Sequence, residues 1–207
     1  MVLLSPYSLL NIVLFHNDRC SCHGLPHGKS WVLADFGFST ISKISSSTIS
    51  TTRRGTDAYR SPEIADVNFD TDGNLQPAEV SRKSDIWAIG CILFRLATTD
   101  RRAPFWNDYA VVAYKRQYPG HDVPQLTEFD NPALSETIIC PDTGLVMQVW
   151  EQINIILKLC FERNPAARPT AAHLRERFEA CALNCWFSTF VGDLARMTLT
   201  ALCAASI

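Results

Sequence analysis

A carboxylate closing a short apolar run, with an aromatic residue and a glycine behind it, is a place where a metal ion can hold phosphates. Trp31-Val32-Leu33-Ala34 reads as a strand and breaks into Asp35-Phe36-Gly37. Asp35 offers the hard oxygens that magnesium prefers, and Gly37 lets the backbone turn. A second carboxylate, Glu63, ends the run Arg53-Arg54-Gly55-Thr56-Asp57-Ala58-Tyr59-Arg60-Ser61-Pro62-Glu63. Between them Ser39 to Thr52 is rich in hydroxyl side chains and reads as a loop. A phosphate on a hydroxyl between Ser45 and Thr52 could pair with Arg53 or Arg54 and order that loop. An unmodified segment is an equal reading.

Two other clusters carry ligand atoms. Cys20, Cys22, His23 and His27 bring soft and imidazole donors together, but Cys-x-Cys-His is tighter than structural zinc spacing and no second pair follows. The preferred reading is a polar hairpin insertion. Asn68-x-Asp70-x-Asp72-Gly73-x-Leu75-x-x-x-Glu79 follows the twelve-position calcium-loop template. Asn68 costs one charge at the first position, and Pro77 sits where a helix should begin. A solvated acidic connector is preferred there.

The elements that must position these groups are legible from periodicity. Asn11-Ile12-Val13-Leu14-Phe15 is a strand that faces Trp31–Ala34 across a hairpin loop, His16 to Ser30. From Ser81 to Leu96, Ile86, Ile89, Leu93 and Leu96 recur at helical spacing, Ile92 and Phe94 widen the stripe, and Ser84 suits a cap. Val149, Ile153, Ile156, Leu157 and Cys160 make another apolar helical face, stopped at Asn164-Pro165. Thr170 then caps a helix that turns Leu174 and Phe178 inwards. Ile64 to Ser84 and His121 to Thr143 read as connectors, and Cys181 to Ile207 as an apolar tail without pattern.

Taken in order, these motifs resemble a protein kinase. Asp35-Phe36-Gly37, a loop, and Gly55-Thr56-x-x-Tyr59-x-x-Pro62-Glu63 have the order of the family's activation segment, with Ser61 where Ala is usual. Asp85-x-Trp87-x-x-Gly90 matches the central-helix signature. Cys160-x-x-x-Asn164-Pro165-x-x-Arg168-Pro169-Thr170 matches the C-terminal one. The resemblance runs from about Leu9 to Cys181, and Thr56 leans towards the serine/threonine branch. It implies a mainly α fold with a small β-hairpin: the C-terminal lobe of a kinase without its N-terminal lobe, over residues 1–181, and a tail at 182–207.

The resemblance also implies roles. Asn11 and Asp35 would hold Mg2+ and, through it, ATP. Phe36, Gly37 and Thr56 would belong to the activation segment and its substrate-facing side. Asp85 would brace the catalytic loop from below, and Arg168 would pair with Glu63. The catalytic Asp, however, is expected five places before Asn11, where Pro6 stands. Leu4, Ser5 and Ser8 fill the neighbouring His, Arg and Lys positions. A rival alignment takes His16-Asn17-Asp18 as the catalytic triplet but puts His23 at the Asn position. None of the nine glycines forms a G-x-G-x-x-G phosphate loop. Val111 to Lys115 mimics the strand bearing the phosphate-binding Lys, yet it follows Asp35 in the chain and reads as part of a surface helix. The expectation is therefore a serine/threonine kinase family member that transfers the ATP γ-phosphate to protein Ser or Thr, incomplete and inactive as it stands. The alternative is a catalytically dead kinase-like module that binds a protein partner.

Bulk properties agree with one packed domain: 207 residues, 47% hydrophobic and 19% charged. A net charge of −2 supplies no basic field for nucleic acid. No uncharged apolar run reaches ~18 residues, so no membrane span is expected. Met1 to Phe15 lacks the basic start and cleavage site of a signal peptide. Eight cysteines, mostly inside apolar stretches, read as reduced core residues of an intracellular, cytoplasmic protein.

Overall fold

The computed structural model describes residues 11–16, 29–34, 48–50, 55–66, 71–72, 76, 78–139, 144 and 146–183. Among them helix dominates, and strands occur only as three antiparallel pairs. β1 (Asn11–His16) pairs with β2 (Lys29–Ala34), and β3 (Thr48–Ser50) pairs with β4 (Ala78–Val80). β5 (Thr137–Ile139) pairs with β6 (Val146–Gln148). The helices are α1 (Pro62–Ala65), α2 (Arg82–Ala97), α3 (Asp108–Lys115), α4 (Val149–Cys160) and α5 (Ala171–Leu183).

The core is built around α2. Its sequence is apolar beyond a single stripe, so it buries residues on all sides: Ile86, Trp87, Ala88, Ile89, Cys91, Leu93 and Phe94 among them. Leu96, expected on the stripe, is only half-buried. α2 crosses α4 at Gly90. A Cβ there would lie 2.6 Å from the Cys160 Cβ and 3.0 Å from the Phe161 ring, so only a hydrogen atom fits. Beside this crossing Trp87 stacks on Phe105 at 5.0 Å and meets Phe161 edge-on at 5.0 Å. Tyr114 of α3 completes the group, and its hydroxyl donates to the Phe161 carbonyl at 2.7 Å. Arg163 donates to the Tyr114 carbonyl at 2.8 Å, with its guanidinium over the same ring at 4.3 Å. Leu174 and Phe178 of α5 face this core, and the Thr170 hydroxyl accepts from the His173 amide at 3.2 Å, as a cap does.

Several expectations change. Three strand pairs replace one small hairpin. The connector after Glu63 begins with the end of α1 and contains β4, elements too short for periodicity to reveal. The loop from His121 to Thr143 contains β5, which needs β6 to exist at all. The cap of α2 is Ser81, not Ser84: Ser81 accepts from the Lys83 amide at 3.2 Å, and Ser84 closes the reciprocal box at 3.5 Å. Val111 to Lys115 is helical, as α3, but Val111, Ala113 and Tyr114 are buried rather than superficial. α5 continues to Leu183, two residues past the expected boundary. Cys91 and Cys160 are free and buried. Burial pushes the Cys91 thiol well up, and the Cys160 thiol to about 12, so both are inert apolar fillers.

Candidate functional site

The first part of the site is backbone. In the β1–β2 register Asn11 lies opposite Ala34, the residue before Asp35. Antiparallel pairing thus brings Asn11 and Ala34 to one end of one hairpin. The Asn11 side chain and Asp35, Phe36 and Gly37 themselves lie outside the described residues, as do Pro6 and the Cys20–His27 cluster. His16 sits inside β1 opposite Lys29, which leaves the rival alignment a strand residue where it needs a catalytic loop.

The second part runs from Gly55 to Asp66. Gly55 has φ +86°, a conformation that a side chain would strain. A 3-10 turn, Asp57–Tyr59, follows, closed by the Tyr59 amide donating to the Thr56 carbonyl at 2.9 Å. Tyr59 is buried, and its hydroxyl accepts from Arg95 of α2 at 2.5 Å. Arg60 bridges Asp57 and Asp108, each at 2.7 Å, which ties the turn to the start of α3. Two hydroxyls in this stretch, those of Thr56 and Ser61, are buried with no hydrogen-bond partner. Pro62 then occupies the first turn of α1, where its missing N–H costs nothing.

Glu63 and Arg168 meet here across 105 residues. Arg168 Nη1 and Nη2 donate to Glu63 Oε1 and Oε2, both at 2.8 Å, a bidentate fork. The Arg168 side chain is 0% exposed. Two further donors are also used: Nε to the Glu162 carbonyl at 2.8 Å, and Nη1 again to the Lys83 carbonyl at 2.9 Å. The Lys83 ammonium donates back to the Arg168 carbonyl. The Ser84 hydroxyl donates to Glu63 Oε1 at 2.7 Å, and the Arg168 guanidinium lies over Trp87 at 5.2 Å. Burial alone would raise the Glu63 carboxyl. The Arg168 hydrogen bonds and charge, helped by Ser84, overcome it and hold the group below the ordinary carboxylate range.

Asp85, one residue further along α2, behaves in the opposite way. Burial pushes its carboxyl up to about 6, against a smaller pull from Arg82. α1 is fastened at its other end by Asp66, which accepts from Lys115, the last residue of α3, and from Arg116 just after it, each at 2.8 Å.

The structure therefore brings Glu63, Arg168 and the first turn of α2 together, and it puts Thr56 a few residues away along one continuous stretch. Sequence reasoning missed Ser84 as a donor to Glu63, Lys83 as a reciprocal partner of Arg168, and the fastening of Arg60 and Asp66 to α3. A capping signature is visible in Ser81-x-x-Ser84. The α3 contacts join residues about fifty apart and leave no local signal. Among the described residues no group of His, Cys, Asp or Glu is arranged to hold a metal ion. Of the calcium template, Asp72 is exposed, and Asn68, Asp70, Gly73 and Leu75 lie outside the description. No helix among the described residues is long and apolar enough to cross a membrane.

Comparison with known proteins gives a consistent set of matches. The family model described as protein kinase domain matches residues 22–178, a span that starts after Asn11. The yeast (Saccharomyces cerevisiae) serine/threonine-protein kinase BCK1/SLK1/SSP31 is 30% identical over 142 residues, covering 69% of this chain and 8% of the relative. The Arabidopsis thaliana mitogen-activated protein kinase kinase kinase YODA is 31% identical over 149 residues, covering 72% of this chain and 13% of the relative. Human serine/threonine-protein kinase Nek11 is 26% identical over 162 residues, covering 78% and 20%. The chain thus spans a fifth or less of each of these relatives. No solved structure matches it.

Proposed function

The chain belongs to the protein kinase family, and from that premise we propose that it is the helical, substrate-side lobe of a serine/threonine kinase. The observation that carries the reading is the Glu63–Arg168 fork with its Ser84 donor. It pins the end of the Gly55–Glu63 segment to the base of α2. A segment that must present a hydroxyl-bearing peptide to a phosphoryl donor needs one immovable end. The tightly wound turn at Asp57–Tyr59, held by Arg95 and by α3, extends that fixed end towards Thr56. Serine/threonine specificity rests on Thr56 and on the serine/threonine-protein kinases among the relatives.

ATP and Mg2+ are the cofactors of the family. The β1–β2 register is the feature that suits them, because it places Asn11 opposite the residue before Asp35. Asn11 and Asp35 would hold the metal, which when bound neutralises phosphate charge. The chain's own contribution is positional: the hairpin sets Asn11 against Ala34, and the α2 base fixes the segment that a protein substrate would meet.

The lobe in the proposal runs to the end of α5 at Leu183 rather than to 181, with the rest of the tail outside it, and the lobe is inactive by itself. The reason is chemical. Pro6 stands where a base should accept the substrate proton, and none of the nine glycines forms a phosphate loop. The second reading, a kinase-like module that binds a protein partner, is favoured by the same Pro6. Two measurements on the purified chain separate them. One is the thermal shift with Mg2+ and ATP, and the other is transfer of labelled γ-phosphate to a generic protein substrate. Mg2+-dependent nucleotide binding without transfer is the expected result. Transfer at rates ordinary for a kinase would overturn the inactive reading, and no nucleotide binding at millimolar concentration would leave the partner-binding module.

A further inference from the structure

β5 and β6 form a ribbon in which Thr137 lies opposite Gln148, Ile138 opposite Met147 and Ile139 opposite Val146. The Val149 amide donates to the Glu136 carbonyl at 3.0 Å, so those two residues are a bonded pair. Bonded pairs recur at every second residue of an antiparallel ladder. Ile138 and Met147 are therefore the next bonded pair, and the N–H and C=O groups of Thr137 and Ile139 point away from β6.

The two edges of the ribbon differ. On β6 the outward Gln148 amide is taken by Glu151 Oε2 at 2.6 Å, and the chain turns into α4 at the next residue. On β5 no described strand adjoins the outward groups. Thr137 and Ile139 are both exposed, Ile139 to 58%. Ile139 and its cross-strand neighbour Val146, 71% exposed, share one face. Edges left to solvent are ordinarily blunted by charge or by proline. The six residues of the ribbon contain neither.

The occupant that suits this edge is a second copy of it. Laid antiparallel on another β5 about a two-fold axis at Ile138, Thr137 of each copy faces Ile139 of the other. Both are then bonded pairs, and every outward N–H of β5 meets a carbonyl. The two Ile139 side chains become diagonal neighbours on the face that carries Val146, and no strand residue sets a charge against a like charge. We propose that β5 is a self-complementary edge through which two copies of this chain join their two-stranded ribbons into one four-stranded sheet. The filled β6 edge stops growth there, so the assembly is a closed dimer and not a fibre. A contact this short belongs to the weak, transient class. It is independent of any phosphoryl chemistry.

Sedimentation equilibrium on the purified chain, from about 1 μM to about 1 mM, spans the affinities of such contacts. The average mass climbs towards that of the dimer and no further. Hydrogen exchange read residue by residue locates the contact. In dilute solution the Ile138 amide exchanges more slowly than those of Thr137 and Ile139, and these two slow about tenfold as the dimer forms. Thr137→Pro and Ile139→Pro each delete an outward donor and no bond of the ribbon itself, so each weakens dimerisation about tenfold or more with Tm unchanged. The exchange readout uses the unaltered chain and decides the matter even where a proline variant fails to fold. A monomer throughout the range would overturn the proposal, and so would mass growing past the dimer. Protection of Thr137 and Ile139 that ignores concentration would assign the edge to another segment of the same chain. A dimer that both prolines leave intact would place the contact elsewhere.

Discussion

α1 is only four residues long, and a carboxylate anchors each end of it, yet the two anchors are different devices. Glu63 meets a guanidinium with no exposed surface, in two parallel bonds, with a hydroxyl as third donor. Asp66 meets Lys115 and Arg116, whose side chains are 36% and 48% exposed. The distances are nearly the same in both. What differs is the alternative open to each charge. Lys115 and Arg116 return to water when Asp66 is lost, whereas Arg168 has nowhere to go. Burial, not proximity, decides which ion pair the fold depends on.

The largest test of that contrast is Arg168→Ala. It strands the Glu63 carboxylate and removes the bonds to the Glu162 and Lys83 carbonyls, at a cost of about 3–5 kcal/mol in denaturant unfolding. Unchanged thermal stability would break the comparison. Next is Glu63→Gln, which keeps the shape but leaves the guanidinium uncompensated, at about 2–3 kcal/mol near neutral pH. Because folding lowers the Glu63 pKa, its contribution is complete above the ordinary carboxylate range and is lost as pH falls through the folded value. The stability gap between wild type and Glu63→Gln therefore narrows below about pH 4.5.

Asp85 provides the opposite sign on the same helix turn. Its folded pKa, raised to about 6, means that the folded chain binds the extra proton between the ordinary value and 6. Its contribution therefore worsens as pH rises across that window, and Asp85→Asn flattens the fall. An Asp85→Asn profile parallel to wild type from pH 4 to 6 would count against it. Ser61→Ala removes a fully buried hydroxyl that has no partner, and a gain of about 1 kcal/mol is expected. The smallest effect is Lys115→Ala, below about 1 kcal/mol and vanishing in molar salt, where the Glu63 anchor is unmoved.

The legibility of the sequence divides along the same line. The Glu63–Arg168 pairing can be read from motif order because both residues belong to long, ordered signatures. The buried faces of α2, α4 and α5 follow from helical periodicity over twelve residues or more. The fastening of Asp66 and Arg60 to α3 depends on how helices pack, and no local pattern encodes it. β3, β4, β5 and β6 have three residues each, too few to show a period of two. Ser84 misled because one hydroxyl suits a cap and a carboxylate equally well. Only the geometry, with Ser81 already capping, assigns it to Glu63.

Gly90 gives the contrast a mechanical meaning. The gap between α2 and α4 is defined there by the absence of a side chain, and a missing atom has no rotamer with which to adjust. Lys83 and Ser84 ride on one of these rods, and the segment bearing Arg168 follows directly on the other. The jaws that grip Glu63 thus inherit a fixed gauge, and an error of one methyl group at the crossing would be transmitted undamped to the grip.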